Sequence, residues 1–253
     1  MMALGNLSGV VRMEWRKLQT VRSTWWILLV FAAGLVGVAV MDADMGPAQP
    51  APSYDPTQNA FGGLAVAQLA IGILGVLTLS SEFTSGSIRA TFAAVPRRGR
   101  VLAAKATVLS AVTLAAGEAL AFAAFAGFQI AARHSVPHAS LGQPGVLRAV
   151  LLAGAYPCLI GFIGLGLAAV IRHTAGAISA IVGVLFVLPL VLLPLGWHSD
   201  AMKFLPWMIA LNSLAAVKPV ANSLSAGTGL AMLCLYAAAA LAAGGWALLR
   251  RDA

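Results

Sequence analysis

Charge is what this sequence has least of. Only 9% of its 253 residues are Asp, Glu, Lys or Arg, where a soluble domain carries about 25%. Hydrophobic residues make up 60% and the mean hydropathy is +0.90, so the chain belongs in a bilayer. Acidic residues are scarcer than basic ones, 8 against 16, leaving a charge of +8. That excess does not point to nucleic acid, because the basic residues flank hydrophobic runs instead of forming one solvated face; membrane orientation explains them better. Cysteine is nearly absent. Cys158 and Cys234 both fall in apolar runs without metal-ligand spacing, and read as small buried hydrophobes. His134, His138, His173 and His198 are scattered through loops, so no metal site is expected.

Motifs are missing as well. There is no G-x-x-x-x-G-K-[ST] phosphate loop, no G-x-S-x-G and no H-E-x-x-H. The first absence excludes nucleotide hydrolysis by that route, and the others argue against serine and zinc intramembrane proteolysis. Gly161, Gly164 and Gly166 imitate part of a dinucleotide fingerprint, in the wrong order and inside an apolar run; close helix packing is the better reading. No catalytic residue, metal ligand or cofactor site is expected, and the chain is not read as an enzyme.

What is present is a series of six apolar runs: Trp25–Met41, Phe61–Ser80, Ala106–Ala132, Ala149–Ile171, Ala175–Gly196 and Gly227–Leu249. Each suits a membrane-crossing helix. Basic residues before the first run imitate a secretory signal peptide, but its 17 residues exceed the usual apolar core of such a signal. Five further spans follow, so an uncleaved helix is expected. Six crossings put both termini on one side. On that side lie Arg12, Arg16, Lys17, Arg22, Arg89, Arg97, Arg98, Arg100, Lys105, Arg172, Arg250 and Arg251, against Arg133, Arg148, Lys203 and Lys218 on the other. The positive-inside rule then places both termini and the Ser81–Lys105 segment in the cytoplasm of a cell-membrane protein. Asp42, Asp44, Asp55 and Asp200 fall outside. The expected fold is all-α and integral to the membrane, one domain over 1–253: an interfacial helix within 1–24, a six-helix bundle over 25–249 and a cytoplasmic tail over 250–253. Pro157, Pro189 and Pro194 predict kinks in the fourth and fifth spans.

Outside the spans, three stretches carry a pattern. Leu7, Val10, Val11, Trp15 and Leu18 follow helical spacing, with Arg12, Arg16 and Gln19 on other faces, which predicts an amphipathic helix lying in the interface. Trp25 and Trp26 mark the headgroup level beyond it. The loop Asp42–Ala60, rich in Pro and Asp, reads as irregular. Phe204–Val217 is apolar but too short to cross, which predicts an external re-entrant or interfacial helix.

The segment Ser81–Lys105 holds five of the sixteen basic residues, Arg89, Arg97, Arg98, Arg100 and Lys105. Gly86 to Val95 reads as a short helix on the membrane surface, broken by Pro96. Anchoring alone does not call for such a segment; being gripped by a cytoplasmic partner does. The alternative is that these arginines set topology or bind anionic lipid. Glu82 would pair with Arg89 or with a partner protein, or else be a solvated helix N-terminal acid capped by Ser80 or Ser81. Glu118 is the one charged residue near the middle of a span. Comparable charges there cost about 2.5–3.5 kcal/mol on insertion scales, so it should face protein or water. It belongs either to a substrate or proton pathway, or to a protonated carboxyl bonded to Gln68, Thr78 or Thr113.

Together these residues resemble a known family. Glu14-Trp15-Arg16-Lys17-Leu18 followed by Thr20-Val21-Arg22-Ser23-Thr24-Trp25-Trp26 resembles the leading helix of ABC-2 type transporter permeases, the actinobacterial kind in particular. Ser81-Glu82-Phe83, Gly86-Ser87-Ile88-Arg89-Ala90-Thr91, Pro96-Arg97-Arg98-Gly99-Arg100 and Lys105 resemble the loop after their second helix. The six-span layout covers essentially the whole chain. The resemblance implies a dimer of permease subunits, two identical copies or two different chains, bound to a separate ABC ATPase that holds ATP and Mg. It also implies a coupling helix in the first cytoplasmic loop, with Glu82, Arg89, Arg97, Arg98 and Arg100 as ATPase contacts. An exporter of a hydrophobic or amphipathic compound follows, with membrane lipid as the other partner. The competing reading is a secondary transporter driven by an ion gradient through Glu118, which predicts paired membrane charges or inverted repeats that the sequence does not display. A lipid-modifying enzyme would need clustered polar residues near one interface, and none is found.

Overall fold

In the computed structural model, residues 7–47, 54–132, 136–192, 194, 201–216 and 224–250 are described. Arg133, His134, His198, Asp200, Lys218 and Arg251 lie outside the described residues. Among the described residues, six helices are long and apolar enough to cross a membrane: α2 (Arg22–Asp44), α4 (Leu64–Thr84), α6 (Arg98–Ala131), α7 (Val146–Ile171), α8 (Thr174–Leu192) and α10 (Ala226–Arg250). Four shorter ones lie between or before them: α1 (Leu7–Thr20), α3 (Pro56–Asn59), α5 (Ile88–Ala94) and α9 (Pro206–Ser213). Among the described residues there is no strand. The protein is an all-α, multi-pass membrane protein.

Small residues decide which helix lies at the centre. Lipid tails are as apolar as leucine, so membrane helices gain by approaching closely, and glycine permits that. α7 presents glycine to three neighbours. A Cβ on Gly75 of α4 would collide with the Gly161 carbonyl, and one on Gly164 with that of Gly72. A Cβ on Gly166 would strike Ala240 of α10, and one on Gly117 of α6 the Gly154 carbonyl. The glycines at 161, 164 and 166 therefore serve close packing, as the sequence predicts. Cys158 is buried in this centre, whereas Cys234 is exposed on α10, against the expectation that both would be buried.

Several boundaries differ from expectation. α6 starts at Arg98, not Ala106, and runs 34 residues. No helix-breaking residue separates Pro96 from Ala106 beyond Gly99, and the charge on Lys105 is neutralised inside the protein, so the helix need not begin after it. The loop Asp42–Ala60 is not wholly irregular: α2 continues to Asp44, and Asp55 caps α3 by accepting bonds from the Thr57 and Gln58 amides at 2.9 and 3.2 Å. α7 passes through Pro157 without interruption. Ahead of Pro189, by contrast, α8 widens into a π-helical stretch, Gly183–Val187, which accommodates a residue that has no N–H and crowds the preceding turn. Pro194 lies beyond the end of α8.

The non-spanning helices sit at the two ends. α9, preceded by the 3₁₀ turn Met202–Phe204, packs on α10 and α7. Asp55 Oδ accepts from the Ala216 amide at 2.6 Å, Gln58 donates to the Leu211 carbonyl at 2.9 Å and Arg148 to the Ala215 carbonyl at 3.1 Å. α9 thus closes one end with α3 and the start of α7. α1, α5 and the ends of α4, α8 and α10 gather at the other, basic end.

Candidate functional site: a buried ion cluster at the basic end

α1 turns two stripes outward from its axis. Leu7, Val11 and Trp15 are exposed or partly so, whereas Val10, Glu14 and Leu18, each four residues apart, are buried. A carboxylate therefore sits in the middle of the packed face, 2% exposed. Burying it demands a partner. Two cations supply it: Lys105 in the second turn of α6, and Lys17 one turn further along α1.

The geometry is a closed ring of alternating charge. Lys105 Nζ lies 2.7 Å from Glu14 Oε2 and 2.5 Å from Glu82 Oε1. Its third proton goes to the Thr78 carbonyl at 2.9 Å, so all three ammonium donors are used. Lys17 Nζ lies 3.1 Å from Glu14 Oε1 and 3.0 Å from Glu82 Oε1. The other oxygen of Glu82 accepts the Thr91 hydroxyl at 3.0 Å. Two carboxylates and two ammoniums sum to zero charge, and Lys105 is 1% exposed. For Lys17, burial lowers the pKa, but the two carboxylates and their hydrogen bonds outweigh it and raise the pKa above the ordinary lysine value.

The cluster joins four helices, α1, α4, α5 and α6, and Thr91 is the link to α5. Beside it lies a cavity of about 530 Å³. Its walls are mostly apolar, with Met13, Leu18, Val21, Leu74 and Leu77 among hydroxyls such as Thr24 and Ser81, and the cluster also lines it.

The residues singled out from sequence distribute unevenly. Arg89 and Arg97 are exposed, at the start of α5 and just before α6. Arg98 is half-buried: its guanidinium donates to the Leu248 carbonyl at 2.9 Å and lies 5.1 Å from the Phe92 ring centroid. Arg100 is half-buried too. Arg172, with φ +60°, donates to the Ala247 carbonyl at 2.9 Å and stacks on Phe83 at 5.3 Å. Two arginines thus complement the negative end of α10. Glu82 is a correction. It is 7% exposed, lies inside the last turn of α4 instead of capping a helix, and pairs with lysines and Thr91, not with Arg89.

For Glu118 it is the expected hydrogen-bond partners that need correcting. None of the expected partners reaches it. Thr78 and Thr113 donate to the Leu74 and Leu109 carbonyls at 2.7 and 2.8 Å. Gln68 instead accepts the hydroxyl of buried Tyr156. Glu14, Lys17 and Thr91 were not legible as a site from sequence, although an acid in the centre of an apolar helical stripe was a usable signal. In sequence Lys105 reads only as a topogenic charge and as the end of the 81–105 resemblance, not as half of a buried ion pair. The chain matches no model of a known protein family and no curated protein. What the geometry offers on its own is a rigid coupling of one short surface helix to three others.

Proposed function

We propose that this chain is the membrane-spanning permease subunit of an ATP-driven ABC transporter, exporting a hydrophobic or amphipathic compound from a cell. The observation that carries the proposal is the hydrogen bond from Thr91 of α5 to Glu82, which ties a short helix between spans into the Glu14–Lys17–Glu82–Lys105 cluster. Such a helix transmits force: a push on α5 reaches α4, α6 and α1 without passing through a flexible loop. The resemblance of the 81–105 segment to ABC-2 permeases supports this reading, as does the distribution of basic residues, which favours cytoplasmic termini in the cell membrane. On this proposal a separate ABC ATPase binds ATP and Mg, a second permease copy completes the pathway, and the exposed Arg89 and Arg97 are the first docking contacts. Arg98 and Arg100 shape the segment from within.

The test is affinity isolation of the tagged, detergent-solubilised protein from native membranes, read by mass spectrometry. An ABC ATPase in about equal amount, lost in the Arg89→Glu/Arg97→Glu variant, is the expected result. Recovery of the chain alone under conditions that preserve other complexes would sink the idea. A second reading, an ion-driven transporter, is favoured by one observation, the unpartnered oxygen of Glu118. Transport that continues on an ion gradient after the ATPase is disabled would select it.

A further inference from the structure

The ion cluster leaves one charged side chain of the spans' middle unexplained. Glu118 lies over Gly154 of α7, where a Cβ would come within 2.6 Å of its Oε2. Only glycine leaves that slot open. Oε2 is buried there and has no hydrogen-bond partner among the described residues, while the residue as a whole is partly exposed. On α6, Leu114 and Phe122, one turn to either side, are exposed, and so is Leu151 of α7. The carboxyl stands at an outward seam between two helices, not in the bundle interior.

Among the described residues, the helices packed on α6 bring no counter-charge to this level. Glu14 and Lys17 of α1 and Glu82 of α4 are bound up with Lys105, which lies roughly 20 Å along α6 at 1.5 Å per residue. On α5, Arg89 lies at the basic end, as do Arg22 of α2 and Arg250 of α10; Asp42 and Asp44 are at the far end of α2. Arg148 of α7 donates to the Ala215 carbonyl, the Tyr156 hydroxyl donates to Gln68, Cys158 of α7 is a buried free thiol one turn from Gly154, and the Tyr236 hydroxyl of α10 donates to the Phe204 carbonyl.

We propose that Glu118, seated on Gly154, is the polar end of a site for a lipophilic cation, an amine or onium ion whose apolar bulk lies against Leu114, Phe122 and Leu151 and which enters from the hydrocarbon region. An unpaired carboxylate is unfavourable in hydrocarbon, so the empty site holds the neutral acid. When a permanent cation arrives, the O–H bond breaks, the proton leaves to water, and the carboxylate pairs with the cation. The site carries zero charge before and after. Its role as a substrate contact rests on the permease reading, but the binding itself needs no ATPase.

The test uses the purified full chain in phosphatidylcholine nanodiscs with tetraphenylphosphonium as probe. Because one proton is released, affinity should rise about tenfold per pH unit wherever the empty carboxyl is protonated. Glu118→Gln should bind about tenfold or more weakly, as expected for loss of a desolvated charge pair, and lose the pH dependence. A lipophilic carbodiimide, which modifies protonated carboxyls in apolar surroundings, should label Glu118, and the probe should protect it. Equal affinity in Glu118→Gln, or labelling that the probe does not prevent, would overturn the proposal. So would absence of labelling in the wild type, since the carboxyl would then not be a neutral acid open to the hydrocarbon region. Failure of an ATPase to co-purify would remove the permease reading and leave these measurements untouched.

Discussion

Lys105 has every donor engaged, and that makes it the most sensitive residue at the basic end. Lys105→Met would leave Glu14 and Glu82 facing each other with only Lys17 between them. Breaking a buried pair in this way costs about 3–5 kcal/mol, so thermal unfolding in detergent should show a large loss. Replacing Glu14, Lys17, Glu82 and Lys105 together by apolar residues should recover most of it, because a neutral apolar core avoids the desolvation of four charges. If the quadruple variant is as unstable as Lys105→Met, the cluster does more than satisfy itself. Lys17 behaves differently because its side chain is 40% exposed. Its pKa is raised in the folded state, so its contribution is fully present below the unfolded lysine value of 10.5 and fades as pH climbs through the folded value. The stability difference between wild type and Lys17→Met should be flat from neutral pH to about 10 and shrink above it; a difference that disappears near neutrality would contradict the ion-pair assignment.

Between helices the decisive contacts are glycine against backbone. The obstacle facing a Cβ at Gly75 is the Gly161 carbonyl, which cannot rotate away as a flexible side chain would. Gly75→Leu should therefore push α4 and α7 apart and cost about 1–3 kcal/mol or more, seen as lower yield of folded protein and a lower melting temperature. Gly99→Leu is the matched control, since nothing lies within 4 Å of its Cβ position. α5 is held by fewer contacts, chiefly Ile88 and Thr91 on its buried side. Thr91→Val removes the hydroxyl that reaches Glu82 while keeping shape. It should leave the fold intact, loosen α5 in hydrogen exchange, and lower transport without releasing the ATPase if the coupling proposal holds.

Across the whole molecule, the basic end gathers α1, α5, the Arg172 turn and the last turn of α10, and the opposite end is closed by α3 and α9. Single cysteines at Arg89 and Arg97 should react with a membrane-impermeant maleimide from one face of a sealed vesicle, and one at Gly142 only from the other. Labelling of all three from one face would break the six-span topology. The spans were legible because their signal is local: each run of apolar residues pays no heed to what it touches, and the charges that bound it act one by one. α1 and α5 were legible for the same reason, through helical spacing and Pro96. The core of the site was not. Glu14, Glu82 and Lys105 lie 91 and 23 residues from one another across their bonds, and a lone charge in sequence looks the same whether solvated or paired. The same holds for Glu118, whose slot exists only because Gly154 of another helix faces it. The sequence alone determined that this is a six-span helical membrane protein with a structured basic loop, since burial in lipid is written in composition and run length. Only the tertiary structure decided which charges meet, because pairing depends on which helices the glycine seams bring side by side.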